Sequence, residues 1–117
     1  MITLQEAKRR MESDPKHWVV WLMDFVDDFR YHRNPAALNE PFELSDPKFD
    51  ALLASTAEQL CAEMGLECPD WVLQVPACAS PWFVAGMESL KAIALVESPL
   101  RFRIRKIFVL ENFLSRV

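Results

Sequence analysis

The aspartates and the histidine of segment 24–32 are the residues with the clearest potential for metal binding or acid–base chemistry. Asp24, Asp28 and His32 follow one another at four-residue spacing, which places their side chains on one face of a helix. Metal sites of this type in helical proteins take ligands from at least two helices, and no second segment carries a matching Glu-x-x-His pattern. We therefore interpret Asp28 and His32 as a structural pair. A small metal-binding protein or enzyme centred on this pair is the third-ranked hypothesis.

The sequence also lacks the residues that other kinds of binding or active site require. The only glycines are Gly65 and Gly86, whereas phosphate-binding loops need several glycines for tight turns and close backbone approach. Cys61, Cys68 and Cys78 are seven and ten positions apart, and these spacings do not make the Cys-x-x-Cys arrangement of a zinc site. The sequence predicts free thiols, with Cys61 buried on a helix, and it predicts no catalytic residue, no metal and no cofactor.

Basic residues are concentrated at one end of an otherwise acidic chain. The net charge of −4 divides into −8 over residues 1–98 and +4 over residues 99–117. Three interpretations stay open: counter-charges for the protein's own acidic body, a docking surface for an acidic protein, or phosphate contacts to nucleic acid. The third is not favoured, because nucleic-acid-binding modules usually have a basic excess over the whole domain. The cations of this segment are Arg101, Arg103, Arg105, Lys106 and Arg116.

Two groups of residues are candidates for binding a partner. In an extended segment 101–105 the arginines would share one face, and in a helical segment Arg101 and Arg105 would still stack one turn apart. Both cases predict a basic ridge anchored to the core by Phe102, Ile104 or Phe108. The two tryptophans of the proline-rich segments either plug the core or serve as exposed anchors. The candidate partner-binding residues are Arg101, Arg103, Arg105, Lys106, Trp71 and Trp82.

Proline placement predicts where helices begin. An Asp or Ser side chain directly before a proline can accept a backbone N–H at a helix start, and proline suits the first helical position. An earlier, short helix should begin after Thr3, which has capping-box spacing to Glu6. The four proline pairs predict four further starts, at Asp14-Pro15, Asp46-Pro47, Ser80-Pro81 and Ser98-Pro99.

Apolar periodicity extends these starts into elements. It predicts helices over about 15–33 and about 47–64, the second closed by Gly65 in a left-handed conformation. A single turn is expected around 68–73, and a further helix over roughly 86–97 has its inward positions at Leu90, Ile93 and Ala94. Residues 99–109 fit either a helix or a strand. We favour a helical turn after Pro99 followed by extended Ile107-Phe108-Val109.

These elements predict a mainly α fold. The expected architecture is a compact single-domain bundle of about four to five helices over residues 1–117, with a short extended segment near the C-terminus. No apolar run approaches the ~20 residues of a membrane helix, and the charged first residues do not make a signal peptide. The sequence therefore predicts a cytoplasmic protein that does not cross a membrane.

The second half of the chain carries a pattern that resembles a known family. It consists of Leu53-Ala54-x-x-Ala57-Glu58-x-Leu60, Gly65, Pro69-x-Trp71-Val72, Trp82-Phe83-Val84, Ala94-Leu95, Pro99-x-x-Phe102-Arg103-x-Arg105-x-Ile107-Phe108-Val109 and Leu114-x-Arg116-Val117. Over about residues 50–117 this is similar to a family of small uncharacterised bacterial proteins. In some relatives a similar segment follows a helix-turn-helix region, in settings that look like toxin–antitoxin or defence operons. The resemblance brings no enzymatic activity with it.

The leading hypothesis for function is a non-enzymatic protein-interaction or regulatory domain, antitoxin-like in the sense of that resemblance. The runner-up is a nucleic-acid-associated accessory protein that uses the segment Arg101–Lys106. Neither the partner's identity nor the oligomeric state follows from the sequence.

Overall fold

The computed structural model of the protein describes residues 1–115, and helices dominate this part of the chain. The longest helix, α3, lies at the centre and packs against α1, α2, α4 and α6. The helices are α1 (Leu4–Ser13), α2 (Trp18–His32), α3 (Pro47–Met64), α4 (Asp70–Leu73), α5 (Lys91–Glu97) and α6 (Leu100–Arg103), and the strands are β1 (Trp82–Phe83) and β2 (Ile107–Phe108). The predicted mainly α fold is confirmed.

The first helix begins and packs as its sequence predicts. Thr3 Oγ1 accepts a hydrogen bond from Glu6 N at 3.1 Å, which satisfies one of the free N–H groups at the start of α1. Leu4, Ala7 and Met11 share one face and are fully buried. Lys8 is buried beside them, and its Nζ lies 2.8 Å from Asp50 Oδ1 of α3, so an ion pair joins the two helices.

The start of α2 differs from the prediction. Asp14 does not cap the helix with its side chain, and Pro15–His17 form a 3₁₀ turn before the α-helix begins at Trp18. The Asp14 carboxylate instead accepts from Trp21 Nε1 at 3.3 Å and lies 3.1 Å from His17 Nδ1. The side chain therefore fixes the turn onto the first part of α2, because it has partners that compete with the backbone N–H groups.

Both predicted ends of α3 are confirmed. Asp46 Oδ1 accepts from Lys48 N at 3.0 Å and from Phe49 N at 3.3 Å. At the other end Gly65 has φ +68°, and Leu66 N donates to Cys61 O at 2.8 Å. This is the Schellman arrangement, in which a left-handed residue lets the chain turn back onto the last turn of the helix.

Two predictions for the region after α4 are wrong. Ser80-Pro81 does not start a helix, because Pro81 leads directly into β1. The next helix begins at Lys91, after a 3₁₀ turn at Glu88–Leu90, and of the residues expected to point inward only Ala94 is buried.

The favoured reading of residues 99–109 is confirmed. A single helical turn, α6, follows Pro99, and β2 then pairs in parallel with β1, with Trp82 opposite Ile107 and Phe83 opposite Phe108. Ser98 is buried and does not cap α6. Its hydroxyl donates to Ile107 O at 3.1 Å and accepts from Val109 N at 3.3 Å, so it holds β2 in place.

Candidate partner-binding surface

The four basic candidates divide into three exposed residues and one buried residue. Arg101, Arg103 and Lys106 are exposed, whereas Arg105 is only 3% exposed. The helical turn explains this difference, because Arg105 stands three residues after the buried Phe102 and its N–H donates to Phe102 O at 3.1 Å. The expectation that Arg105 belongs to an exposed ridge is therefore corrected.

Arg105 is the centre of a buried polar network. Its Nε donates to Val75 O at 3.1 Å, and its Nη2 donates to Val72 O at 2.8 Å. Its Nη1 donates to Ser55 Oγ at 3.3 Å and forms an ion pair with the Glu58 carboxylate. The guanidinium thus ties the segment after α6 to α3 and α4. For this one arginine, the interpretation as an internal counter-charge is the one that the contacts support.

The exposed cations have a different environment. Within residues 1–115, the side chains of Arg101, Arg103 and Lys106 form no ion pair with a carboxylate. Lys106 has a positive φ of 62°, which turns the chain from α6 into β2. Arg116, the remaining cation of the basic segment, lies outside the described residues. Three positive charges on α6 and shortly after it therefore face solvent without an ion-pair partner among the described carboxylates.

Exposed apolar side chains occur on α6, which carries Arg101 and Arg103, and on α5, which directly precedes it in the chain. Val96 is 81% exposed, Leu100 63% and Ile104 56%. Leu100 and Ile104 are one helical turn apart, since Ile104 N donates to Leu100 O at 3.0 Å. We call this region the α5–α6 surface and define it by the exposed side chains of Ile93, Val96, Leu100, Arg101, Arg103 and Ile104.

Hydrophobic periodicity in the sequence did not predict the apolar part of this surface, although the composition of α5 indicates it. The segment Ala92–Val96 is apolar at every position, so α5 has no polar stripe to face water. A helix of this kind must be buried on all sides or must expose part of its apolar surface. In the structure α5 packs on β2 with Ala94 alone buried, and the apolar side chains of Ala92, Ile93, Leu95 and Val96 are exposed.

A shallow groove runs between α5 and the segment after β2. Its volume is about 630 Å³, and its walls include Leu90, Ile93 and Leu110. Glu97 Oε1 accepts from Glu111 N at 3.1 Å and links the two walls. Ile93 belongs both to the α5–α6 surface and to the wall of this groove, so the apolar surface extends into a concave region.

The two candidate tryptophans pack against the core. Trp71 is half-buried, with its Nε1 donating to Leu38 O at 2.7 Å and its ring edge-on to Phe42 at 5.2 Å between centroids. Trp82 is also half-buried, and its ring lies 5.7 Å from that of Trp18. Of the two roles considered for them, these contacts support packing against the core.

Asp28 and His32 have structural partners. Asp28 Oδ2 accepts from Ile2 N at 2.7 Å, and His32 Nδ1 lies 3.0 Å from the Asp28 backbone oxygen. Among the described residues there is no group of three or more His, Cys, Asp or Glu side chains arranged to hold a metal ion. The pair therefore fastens the N-terminal segment to α2 and closes the last turn of that helix.

Comparisons with known proteins gave no matching family model, no matching curated protein and no matching solved structure. Among residues 1–115, no helix combines the length and apolar character needed to cross a bilayer.

Proposed function

We propose that the protein is a non-enzymatic interaction domain that binds another protein through the α5–α6 surface. The observation that carries the proposal is the combination of exposed Val96, Leu100 and Ile104 with two exposed arginines that lack carboxylate partners among the described residues. Exposed apolar groups bordered by polar residues are typical of protein-binding surfaces, and arginine is enriched among the residues that dominate binding energy. We further propose, from the sequence and its family resemblance, that this role is cytoplasmic, regulatory and antitoxin-like.

Charge selects the chemistry of the partner. Arg101, Arg103 and Lys106 lie on a protein whose remaining net charge is strongly negative, so they attract carboxylates that another molecule supplies. A two-fold dimer centred on α6 would bring the arginines of both copies together, which opposes self-association through this face. The partner that fits is a segment of another protein with apolar side chains flanked by carboxylates.

A defined peptide tests this pairing. The probe is a labelled helical peptide with a leucine stripe bordered by glutamates, and its control has lysines at the glutamate positions. Binding is measured by fluorescence anisotropy at low and at high salt. We expect the glutamate peptide to bind more tightly than the lysine peptide, with a preference that shrinks as salt screens the charges.

A charge-reversal variant locates the binding surface. Arg101→Glu together with Arg103→Glu should raise the Kd for the glutamate peptide about fivefold, because two exposed ion pairs contribute roughly 1 kcal/mol in total. The matched control reverses Lys16 and Arg33, two exposed cations elsewhere, and produces the same change in net charge. Equal losses in both variants, or no binding of the glutamate peptide, would contradict the proposal.

Nucleic acid is the competing ligand in the same assay. A labelled random-sequence duplex should bind weakly and lose little affinity in the Arg101→Glu, Arg103→Glu variant. If the duplex instead binds more tightly than the peptide, and its affinity falls steeply with salt, the basic residues contact phosphates and the protein-docking proposal is wrong.

A further inference from the structure

The segment that leads into α3 contains three acidic residues and no basic one, and we call residues 39–46 the acidic loop. Side chains of the neighbouring helices fix its backbone. Lys8 Nζ of α1 donates to Glu43 O, and Ser45 N donates to Asp50 Oδ2 of α3 at 2.8 Å. The loop is therefore held in one conformation against the body of the protein.

The fixed loop presents acidic and apolar side chains to solvent. Glu40 and Glu43 are exposed, and Leu44, next to Glu43 in the chain, is 59% exposed. Within residues 1–115, the carboxylates of Glu40 and Glu43 form no ion pair with a basic side chain. An exposed leucine bordered by such carboxylates suits a partner surface that is apolar and basic.

A groove adjoins the acidic loop on the side of α1. Its volume is about 710 Å³, and Glu43 is part of its wall. The two cations that also line it are already in ion pairs, Lys8 with Asp50 and Arg9 with Glu6. The groove therefore offers a concave site in which a cationic side chain of another molecule can approach the Glu43 carboxylate.

The acidic loop is complementary in charge to the α5–α6 surface of the same protein. We propose that a second copy of this chain docks its α5–α6 surface on the acidic loop and the adjoining groove. Arg101 and Arg103 of one copy then face Glu40 and Glu43 of the other, and Leu44 meets the exposed apolar side chains of the α5–α6 surface. This pairing rests on the proposed function, because it assigns a competitor for the surface that binds the partner protein.

The contact joins two different faces, so it avoids the repulsion of a two-fold contact centred on α6. Each docked pair of copies still has one acidic loop and one α5–α6 surface available, so association continues into rings or open chains. Exposed ion pairs contribute little individually, and the association is therefore weak and requires a high protein concentration. Self-association then covers the α5–α6 surface when the protein is abundant and its partner is scarce.

Sedimentation velocity of the full chain over a range of concentrations tests the proposal. We expect the weight-average sedimentation coefficient to rise with concentration, and to rise less at high salt. Glu40→Lys together with Glu43→Lys should weaken self-association at least about fivefold, the effect of losing two exposed ion pairs. The matched control, Glu67→Lys with Asp70→Lys, changes the net charge equally at two exposed acids outside the acidic loop and should associate like the natural protein.

Mixing two variants tests which faces meet. Arg101→Glu with Arg103→Glu makes both faces acidic, whereas Glu40→Lys with Glu43→Lys makes both faces basic, so each variant alone should stay monomeric. An equal mixture should associate, because each variant carries faces of the charge opposite to those of the other. A sedimentation coefficient that is independent of concentration, equal losses in the Glu67→Lys, Asp70→Lys control, or a mixture that stays monomeric would overturn the proposal.

The glutamate peptide separates this proposal from the function on which it rests. Glu40→Lys with Glu43→Lys leaves the α5–α6 surface intact and should bind the peptide with the Kd of the natural protein. A natural protein that binds the peptide but stays monomeric at every concentration would overturn self-association and leave the proposed function standing. Self-association without peptide binding would contradict the proposed function alone.

Discussion

Replacing Arg105 with methionine should lower the free energy of unfolding by about 3–5 kcal/mol, because it leaves a buried carboxylate without its counter-charge. Arg105 is 3% exposed and Glu58 is 9% exposed, so little water is available to solvate the carboxylate that remains. The carbonyls of Val72 and Val75 also lose their N–H donors, and each unsatisfied buried group costs about 1–3 kcal/mol. The loss of the counter-charge and the loss of the two N–H donors overlap. The expected total is therefore the about 3–5 kcal/mol that removal of one partner of a buried ion pair costs.

This loss is large relative to the whole fold. Domains are typically stable by roughly 0.05–0.15 kcal/mol per residue, which is about 6–18 kcal/mol for a chain of this length. The double variant Arg105→Met, Glu58→Leu removes both charges and should recover a substantial part of the loss, since a buried pair replaced by apolar residues is often neutral. The exposed neighbour Arg103 supplies the control, and Arg103→Met should stay within about 0.5 kcal/mol of the natural protein.

Urea unfolding, followed by tryptophan fluorescence and far-ultraviolet circular dichroism, measures these proteins together with the single variant Glu58→Leu, which completes a double-mutant cycle. The double-mutant cycle then gives the coupling between Arg105 and Glu58, which should be at least about 1–2 kcal/mol for contacting residues. If Arg105→Met costs under about 1 kcal/mol, or if the two substitutions add without coupling, the buried network does not stabilise the fold as argued.

Three further substitutions test individual elements by the same measurement. Gly65→Val should cost about 1–2 kcal/mol from backbone strain alone, because φ is +68° and no atom lies within 4 Å of an added Cβ; an unchanged midpoint would mean that α3 ends differently. Ser98→Ala should cost about 1–3 kcal/mol, because Ile107 O and Val109 N lose their buried partner, and a neutral result would remove Ser98 from the support of β2. His32→Ala should cost only about 0.3–1 kcal/mol, so a loss of several kcal/mol would contradict its place as a cap at the edge of α2.

The elements that the sequence predicts correctly depend on neighbours in the chain. Thr3, Asp46 and Gly65 each act on N–H or C=O groups within a few residues, so their types and spacing suffice. Ser80 and Ser98 precede a proline in the same way, yet neither caps a helix with its side chain. The partners of Ser98 are nine and eleven residues away, and no local pattern contains that information.

The candidate surface was predictable only in part, for the same reason. The clustering of basic residues points to the correct segment, and Arg101 and Arg103 are exposed as expected. The inward direction of Arg105 depends on where α6 ends and on Glu58, which lies far away in the sequence. Likewise, the apolar composition of α5 predicts either full burial or partial exposure, and the choice depends on the tertiary arrangement, in which no other described α-helix packs extensively on it.

The hydroxyl of Ser98 has a consequence for how this chain behaves at high concentration. A strand with unpaired N–H and C=O groups is a template on which another chain can add, and this is a route to aggregation. Ser98 occupies Ile107 O and Val109 N on the side of β2 that points away from β1, while Gly86 N donates to Phe83 O at 3.0 Å. These bonds occupy groups on both sides of the two-stranded sheet, so a strand of another molecule would find fewer hydrogen-bonding positions there.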